Sequence, residues 1–216
     1  MIRRVCALIL AGLLAAAAPA QSGQPEPAPA SRLAPDDLAW AALAAGLRRQ
    51  AGVTADFTER RWFPFRAAPT ILRGEARVSA EHGLSLHYLA PDEQITIIDR
   101  GGVLLRSASG ERVPPADPRA LAADFALLQV LRLDLAALAP AFELSGRRAE
   151  GTWTLVLVPR DPDLRRTLGQ ITVEGEADAV RRIELRRSAK QRVEILLERP
   201  RPGRPFTAEE LRRYFR

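Results

Sequence analysis

The sequence predicts a mainly β protein of the α+β class, with about ten antiparallel strands, an N-terminal helix and internal helices. Strand-like runs follow one another between residues 57 and 105 with only turn-sized gaps between them. A second series of alternating runs occupies residues 142–198. Strands with such short connections pair antiparallel, because a parallel pair requires a long crossover. A meander of this kind must bury one face, and the helices are its predicted cover.

Residues 1–20 carry the pattern of a secretory signal peptide. Two arginines precede an apolar run over residues 5–18, and the small residues that follow predict cleavage after Ala20. The run is shorter than the roughly 18 to 20 apolar residues that cross a bilayer. Cys6, the only cysteine, lies inside this segment. The exported chain is therefore predicted to be stabilised by a core and not by disulfides.

A linker and one amphipathic helix precede the strands. Residues 21–34 contain alternating prolines among small and polar residues, which predicts a disordered linker. Asp37 then provides a helix N-cap, and apolar residues recur with helical spacing from Trp40 to Leu47. Residues 35–216 are predicted to form a single domain.

Glycine, proline and aspartate breakers divide the strands into two groups. The first group is predicted at residues 53–63, 70–79, 84–89, 94–99 and 103–107. The second group is predicted at residues 142–147, 152–159, 170–176, 180–187 and 192–198. A capping box from Thr207 to Glu210 then starts a short terminal helix.

Two internal helices are predicted between the strand groups. Asp117 is an N-cap followed by Pro118 at the first helical position, which predicts a helix over residues 119–133. A shorter helix is predicted over residues 135–138. Apolar residues cover most of the circumference of the first helix, so it needs two apolar partners. One partner is the sheet, and the other is either a neighbouring core element or a ligand.

The charge pattern gives no sign of nucleic-acid binding. The formal net charge is +6, but acidic and basic residues are interleaved, as from Arg182 to Arg186. Such residues form the solvent-exposed face of an alternating strand. No nucleic-acid partner is expected, and the net charge is compatible with a weak attraction to anionic lipid headgroups.

The chain carries no recognisable catalytic, metal or cofactor motif. Its two histidines, His82 and His87, are not spaced as a metal pair and are predicted at an exposed turn and on the sheet surface. No nucleophile elbow, phosphate loop, dinucleotide fingerprint or zinc-protease motif occurs. The sequence therefore predicts neither an enzyme nor a bound cofactor or metal.

Several short motifs resemble the outer-membrane lipoprotein carrier (LolA) family. They are F-T-E-R at 57–60, Gly74 at a strand start, G-L-S-L-H-Y at 83–88, Pro91-Asp92-Glu93, and I-T-I-I-D-x-G at 95–101. The resemblance covers roughly residues 35–200. It implies a curved, incomplete antiparallel β-barrel whose concave apolar face is covered by helices and accommodates acyl chains.

The resemblance also implies a function. A member of this family is expected to act in the periplasm as a monomer, carrying a lipoprotein or another acylated ligand from an inner-membrane donor complex to an outer-membrane acceptor. Ala80-Glu81 stands where the family's lipoprotein carriers have an Arg-Pro pair credited with lid control. A relative that carries a different acylated or apolar molecule is therefore an equal alternative.

Inward-facing apolar side chains are the candidate lipid-binding residues. Strand alternation and helix spacing select Phe57, Leu84, Leu86, Tyr88, Ile95, Ile97, Phe125, Leu128, Trp153, Leu155, Ile171 and Ile183. Each of them also fits an ordinary core. Three aromatic residues cluster near Pro64 at a strand end, namely Trp62, Phe63 and Phe65. They are predicted either to lie at the cavity rim or to pack within an ordinary loop.

A protein-binding sensor or scaffold is the second hypothesis. The same half-barrel would then dock a periplasmic segment of a membrane protein, side chains would fill its cavity, and it would bind no lipid. An open apolar cavity beneath residues 119–138 would favour the carrier.

Overall fold

The computed structural model describes residues 30–34, 37–50, 52–114, 128–130, 133–203 and 205–216. These residues form one antiparallel sheet of twelve strands, which does not close into a barrel. The strands are β1 (Ser31–Arg32), β2 (Gly52–Trp62), β3 (Thr70–Ser79), β4 (Gly83–Ala90), β5 (Gln94–Asp99), β6 (Gly102–Ser107), β7 (Gly110–Arg112), β8 (Phe142–Ala149), β9 (Thr152–Pro159), β10 (Gln170–Glu176), β11 (Ala179–Ser188) and β12 (Gln191–Gly203).

Short helices accompany the sheet. They are α1 (Leu38–Arg48), α2 (Leu135–Leu138), α3 (Pro162–Leu168) and α4 (Ala208–Tyr214), together with helical residues 128–130. The carboxylate of Asp37 accepts hydrogen bonds from the first turn of α1, and Thr207 and Glu210 form a reciprocal capping box on α4. Both predicted helix starts are confirmed. Within the described ranges, every helix is too short or too polar to cross a membrane.

The strand order is β1-β8-β9-β10-β11-β12-β2-β3-β4-β5-β6-β7. The two predicted strand groups are thus two meanders, joined where β12 pairs with β2 from Arg192 opposite Trp62 to Gly203 opposite Gly52. The prediction of a mainly antiparallel, incomplete barrel is confirmed. Among the described residues, its edges are the short strands β1 and β7.

Part of the predicted linker belongs to the sheet. Ser31 and Arg32 pair with β8, and Leu33 packs against the main core. The linker prediction is wrong for these residues, because the edge of β8 offers free backbone partners and Leu33 gains burial. Residues 1–29, which include the predicted signal peptide, lie outside the described residues, as does the predicted helix at 119–133 apart from residues 128–130 and 133.

α3 and the edge strand β7 are not among the predicted elements. The carboxylate of Asp161 caps α3 by accepting from the backbone N–H of Leu164, and Pro162 occupies the first helical turn. This is the same Asp-Pro signal that predicts a helix after Asp117. β7 completes a tight hairpin with β6, in which Ser107 pairs with Gly110.

Strand alternation gives the sheet an inner face and an outer face. The main core lies on the inner face and includes Phe57, Leu155 and Ile183. α1 packs on it through Trp40, whose ring meets that of Trp153 edge-on at 6.1 Å between centroids. α2 adds the buried side chains of its two terminal leucines. The inner face is therefore covered by α1 and α2, as the predicted arrangement requires.

α4 covers a second apolar cluster on the outer face. Tyr214 and Phe215 pack there against Ile95, Ile97 and Leu104. Arg106 holds the helix in place, because its guanidinium donates to the backbone oxygens of Arg212 at 3.1 Å and Phe215 at 3.3 Å. A cation at this position also opposes the negative end of the helix dipole.

His87 lies beneath α4. It was predicted on the sheet surface, but it is only 5% exposed, because the ring of Tyr214 lies 5.6 Å from its own. Its Nε2 is 2.9 Å from a carboxylate oxygen of Glu93. The surface prediction for His87 is therefore wrong, since the sequence alone does not show that a terminal helix packs on the outer face.

A ladder of ion pairs crosses the outer face of β2, β12, β11 and β10. Arg182 lies at its centre and contacts Glu174 at 3.1 Å, Glu194 at 2.7 Å and also Glu184. Burial alone would raise the pKa of Glu184 and Glu194, but hydrogen bonds and charge from Arg182 and neighbouring arginines lower both below the usual 4.5. The ionised carboxylates therefore stabilise the folded state.

We expect Arg182→Gln to destabilise the protein at neutral pH by on the order of 1 kcal/mol, because it removes the central cation of this ladder. The lowered pKa values mean that the contribution is complete above about pH 4.5 and is lost as the pH falls through the folded-state values. Urea unfolding of both proteins at several pH values measures this. A difference in unfolding free energy that stays constant down to acid pH would contradict it.

Candidate functional site

An apolar cavity of about 370 Å³ lies on the inner face, where β2 begins and β3 ends. α1, the strands β2, β3 and β12, and the turn between β10 and β11 form its wall. The apolar lining is contributed by Leu47, Val53, Ala55, Ala76, Val78 and Leu197. Its volume falls near the lower end of the roughly 300–1,000 Å³ typical of small-molecule pockets.

Small side chains explain why this part of the inner face is hollow. Ala55 of β2 lies directly opposite Ala76 of β3. The next inward pair is Phe57 opposite Gly74, where a Cβ on the glycine would come within 2.8 Å of the phenylalanine ring. Phe57 thus lies over β3 where there is no side chain, and the two alanines beside it leave space unfilled.

A separate narrow void of about 20 Å³ lies next to the cavity, and the two share Ala76, Val78 and Leu197 as lining residues. The void ends against Leu84, Leu86, Ile183 and Ile195. Because all of these side chains are apolar, nothing at the inner end can compensate a buried polar group.

Polar groups lie at the mouth of the cavity. The side-chain amide of Gln50 donates to the backbone oxygen of Asp178 at 3.1 Å. Arg181 forms an ion pair with Glu176 at 3.3 Å, and both residues border the cavity. An apolar interior with a charged, hydrated rim suits a ligand that has an apolar body and a polar end.

The predicted lipid-binding residues divide into groups. Leu84, Leu86 and Ile183 line the void next to the cavity. Phe57, Tyr88, Leu128, Trp153, Leu155 and Ile171 belong to the surrounding core. Among the described part of residues 128–138, no side chain lines the cavity. The described cavity therefore lies beside α1 and not beneath those residues.

Two predicted residues lie on the wrong face. Ile95 and Ile97 point outward and pack under α4. Ile98 is the inward residue, and it pairs with Leu84. The sequence Ile-Thr-Ile-Ile has isoleucines on both faces, so alternation alone did not show which face holds the cavity. Phe125 lies outside the described residues.

A buried polar cluster closes the inner face at the far end of β2. Glu59 is only 4% exposed, and it accepts from the hydroxyl of Tyr88 at 2.8 Å and from Nε of Arg61 at 2.6 Å. Burial, reinforced by the Glu59 charge, raises the pKa of Tyr88 well above its usual value of 10. The phenol therefore remains a neutral donor, and the cluster is fully paired.

Most residues of the cavity wall are not among the predicted site residues. The wall includes Val53, Ala55, Ala76, Val78 and Leu197, whereas strand alternation favours large apolar side chains as candidates. The useful signal was the opposite one, namely small residues at inward positions of neighbouring strands. That signal depends on the register between β2 and β3, which the sequence does not supply.

The described residues contain no group of three or more His, Cys, Asp or Glu side chains that is placed to hold a metal ion. The described residues thus form an open antiparallel sheet with an apolar cavity on its inner face. The chain belongs to the outer membrane lipoprotein carrier protein LolA-like family, whose sequence model matches residues 32–198. No curated protein matches the chain.

Solved structures with a similar fold are distant in sequence. MucB in complex with MucA(peri) is 15% identical with a TM-score of 0.43, and the match covers 80% of this chain and 58% of that one. A LolA superfamily protein from Nitrosomonas europaea is 8% identical with a TM-score of 0.39, and the match covers 80% of this chain and 95% of that one. A putative outer membrane lipoprotein-sorting protein domain from Vibrio parahaemolyticus is 9% identical with a TM-score of 0.42, and the match covers 81% of this chain and 95% of that one.

Proposed function

We propose that the protein is a periplasmic carrier that holds one acyl chain, or a comparable apolar group, in the inner-face cavity. The observation that carries this proposal is an unfilled cavity of about 370 Å³ walled by apolar side chains. A core that served stability alone would close such a space, because each unfilled methyl-sized volume costs on the order of 1 kcal/mol. The family assignment supports carriage of a lipidated molecule.

The cavity alone supplies enough binding energy. Each buried methylene contributes about 0.8 kcal/mol, so a chain of about twelve carbons gains roughly 10 kcal/mol before ordering costs are subtracted. The polar end of the ligand would lie at the mouth, near Gln50 and Arg181. No catalytic group is required, and the small volume favours one chain over several.

Transport would follow from relative affinity. The carrier, acting as a monomer, would take its cargo from an inner-membrane donor complex and release it to an outer-membrane acceptor that binds the cargo more tightly. The candidate residues Leu84, Leu86 and Ile183 would contact the end of the acyl chain, since they line the void next to the cavity.

We expect the protein, when purified after export from its native host, to contain an acylated molecule that organic solvent extracts and mass spectrometry identifies. The emptied protein should then bind a fluorescent fatty acid and release it when the extracted ligand is added back. A control with heat-unfolded protein measures nonspecific uptake of the probe by exposed apolar surface.

An empty protein that also fails to bind the fatty-acid probe would overturn the proposal. If the same protein then bound a peptide from a periplasmic segment of a membrane protein, the sensor or scaffold hypothesis would replace it. Probe binding that is unaffected by changes in the cavity wall would show that lipid binds elsewhere.

A further inference from the structure

An exposed aromatic loop connects β2 to β3. Trp62, Phe63, Pro64 and Phe65 begin it, and together with Arg66, Ala67 and the β11–β12 turn at 189–190 they line a groove of about 460 Å³. These residues and the turn are termed the aromatic tip. It lies at the end of the sheet opposite the cavity, because β2 runs from the cavity wall at Val53 to Trp62. At about 3.3 Å per residue, this places the tip roughly 30 Å from the mouth.

The tip presents apolar surface to solvent in an ordered arrangement. Phe65 is 82% exposed and stacks on Phe63 with 5.4 Å between ring centroids. The backbone N–H of Arg66 donates to the Phe63 oxygen at 3.1 Å, and its guanidinium donates to the Thr70 hydroxyl at 2.7 Å. The loop therefore forms a turn from which two stacked rings point toward solvent. Packing within the loop does not explain Phe65, because its side chain stays exposed.

The two sequence segments that surround these rings are basic. Residues 61–70 and 186–192 contain six arginine or lysine residues and no aspartate or glutamate. Arg192 lies over the ring of Trp62 at 4.1 Å, and Lys190, the only lysine of the chain, is exposed in the adjacent turn. Arg61 and Arg186 are paired with the carboxylates of Glu59 and Glu184, so the positive charge around the rings comes from Arg66, Arg187, Lys190 and Arg192.

We propose that the aromatic tip binds an anionic lipid surface. Exposed rings beside cations match the membrane interface, where aromatic side chains enter the headgroup layer and basic side chains meet phosphate. The charge distribution favours a lipid surface over a protein groove, because the two segments beside the rings contain no acidic residue of their own and keep four cations that Glu59 and Glu184 do not neutralise. This surface is separate from the cavity, so membrane binding goes beyond the carrier function and is tested independently of it.

Co-sedimentation with lipid vesicles tests the proposal. The protein purified after export should sediment with vesicles that contain phosphatidylglycerol and not with vesicles of phosphatidylcholine alone. Phe65→Ser should lower the partition coefficient about tenfold, because one phenyl ring no longer leaves water. Lys190→Glu should lower it several-fold at low salt and have little effect at high salt.

Two matched variants provide controls. Leu38→Ser changes another exposed apolar residue, 85% exposed, and Arg100→Glu reverses an exposed charge in the turn between β5 and β6. Neither should change partitioning more than twofold, and all four variants should keep the parent thermal unfolding midpoint. Every protein carries the same N-terminus, so any contribution from that segment cancels.

Four results would overturn the proposal. In the first, the unaltered protein does not sediment with anionic vesicles, which would leave the tip to a protein partner. Equal partitioning onto neutral vesicles would remove the role of the basic residues. Retention of full partitioning in both tip variants, or equal losses in the control variants, would place the lipid contact elsewhere. Fatty-acid binding in the cavity can succeed or fail separately from each of these outcomes.

Discussion

Ala76→Leu is expected to weaken binding of an apolar probe about fiftyfold, because the new side chain occupies space equivalent to about three methylene groups, each worth roughly 0.8 kcal/mol. Ala76 lines both the cavity and the adjoining void, so a leucine there fills space at both. The same change should raise the unfolding free energy by about 1 kcal/mol, since it fills a hollow. Probe titration and urea unfolding measure the two effects.

The opposite signs of these two effects distinguish a blocked site from a damaged fold. Ala136→Leu on α2 is the matched control, because that alanine is exposed and lies away from the cavity. It should leave both quantities unchanged. If Ala76→Leu folds normally and binds the probe with parent affinity, the inner-face hollow is not the binding site.

Phe215→Ala is expected to lower the unfolding free energy by about 3–5 kcal/mol, the usual range for removing a fully buried aromatic ring. Phe215 is 1% exposed and packs against Phe206, with 5.2 Å between ring centroids, and against the cluster under α4. Urea unfolding measures the loss. Probe affinity per folded molecule should not change, because α4 and the cavity lie on opposite faces of the sheet.

Glu209→Ala provides the control for Phe215→Ala. Glu209 lies on the same helix but is exposed in its first turn, so its removal should cost less than 1 kcal/mol. A comparably small loss for Phe215→Ala would mean that the second cluster contributes little to stability. α4 would then be a peripheral attachment to the sheet.

The strands were predictable because each one has its own local signal. Alternation and turn residues located all ten predicted strands, and Asp37 and the Thr207 capping box located α1 and α4. The missed helix α3 carries an equally local signal in Asp161-Pro162. α3 could therefore have been predicted from the sequence, because its N-cap is a local signal.

The site depended on information that no single strand contains. Ile97 packs under α4, which lies more than a hundred residues further along the chain, whereas Ile98 faces the inner core. The hollow exists because Ala55 and Ala76 become direct neighbours. A single inward alanine does not predict a cavity. Two alanines leave space for a ligand only when strand pairing places them side by side.

The pairing of β12 with β2 makes the cavity depend on a contact between distant parts of the chain. These strands are separated by most of the chain, yet Val53 and Ala55 from one and Leu197 from the other line the same hollow. Contacts between such distant segments form slowly, because a long loop must close first. The chain therefore has no ligand site until its last long strand has docked. A ligand that contacts both β2 and β12 would stabilise their pairing and so hold the two meanders together.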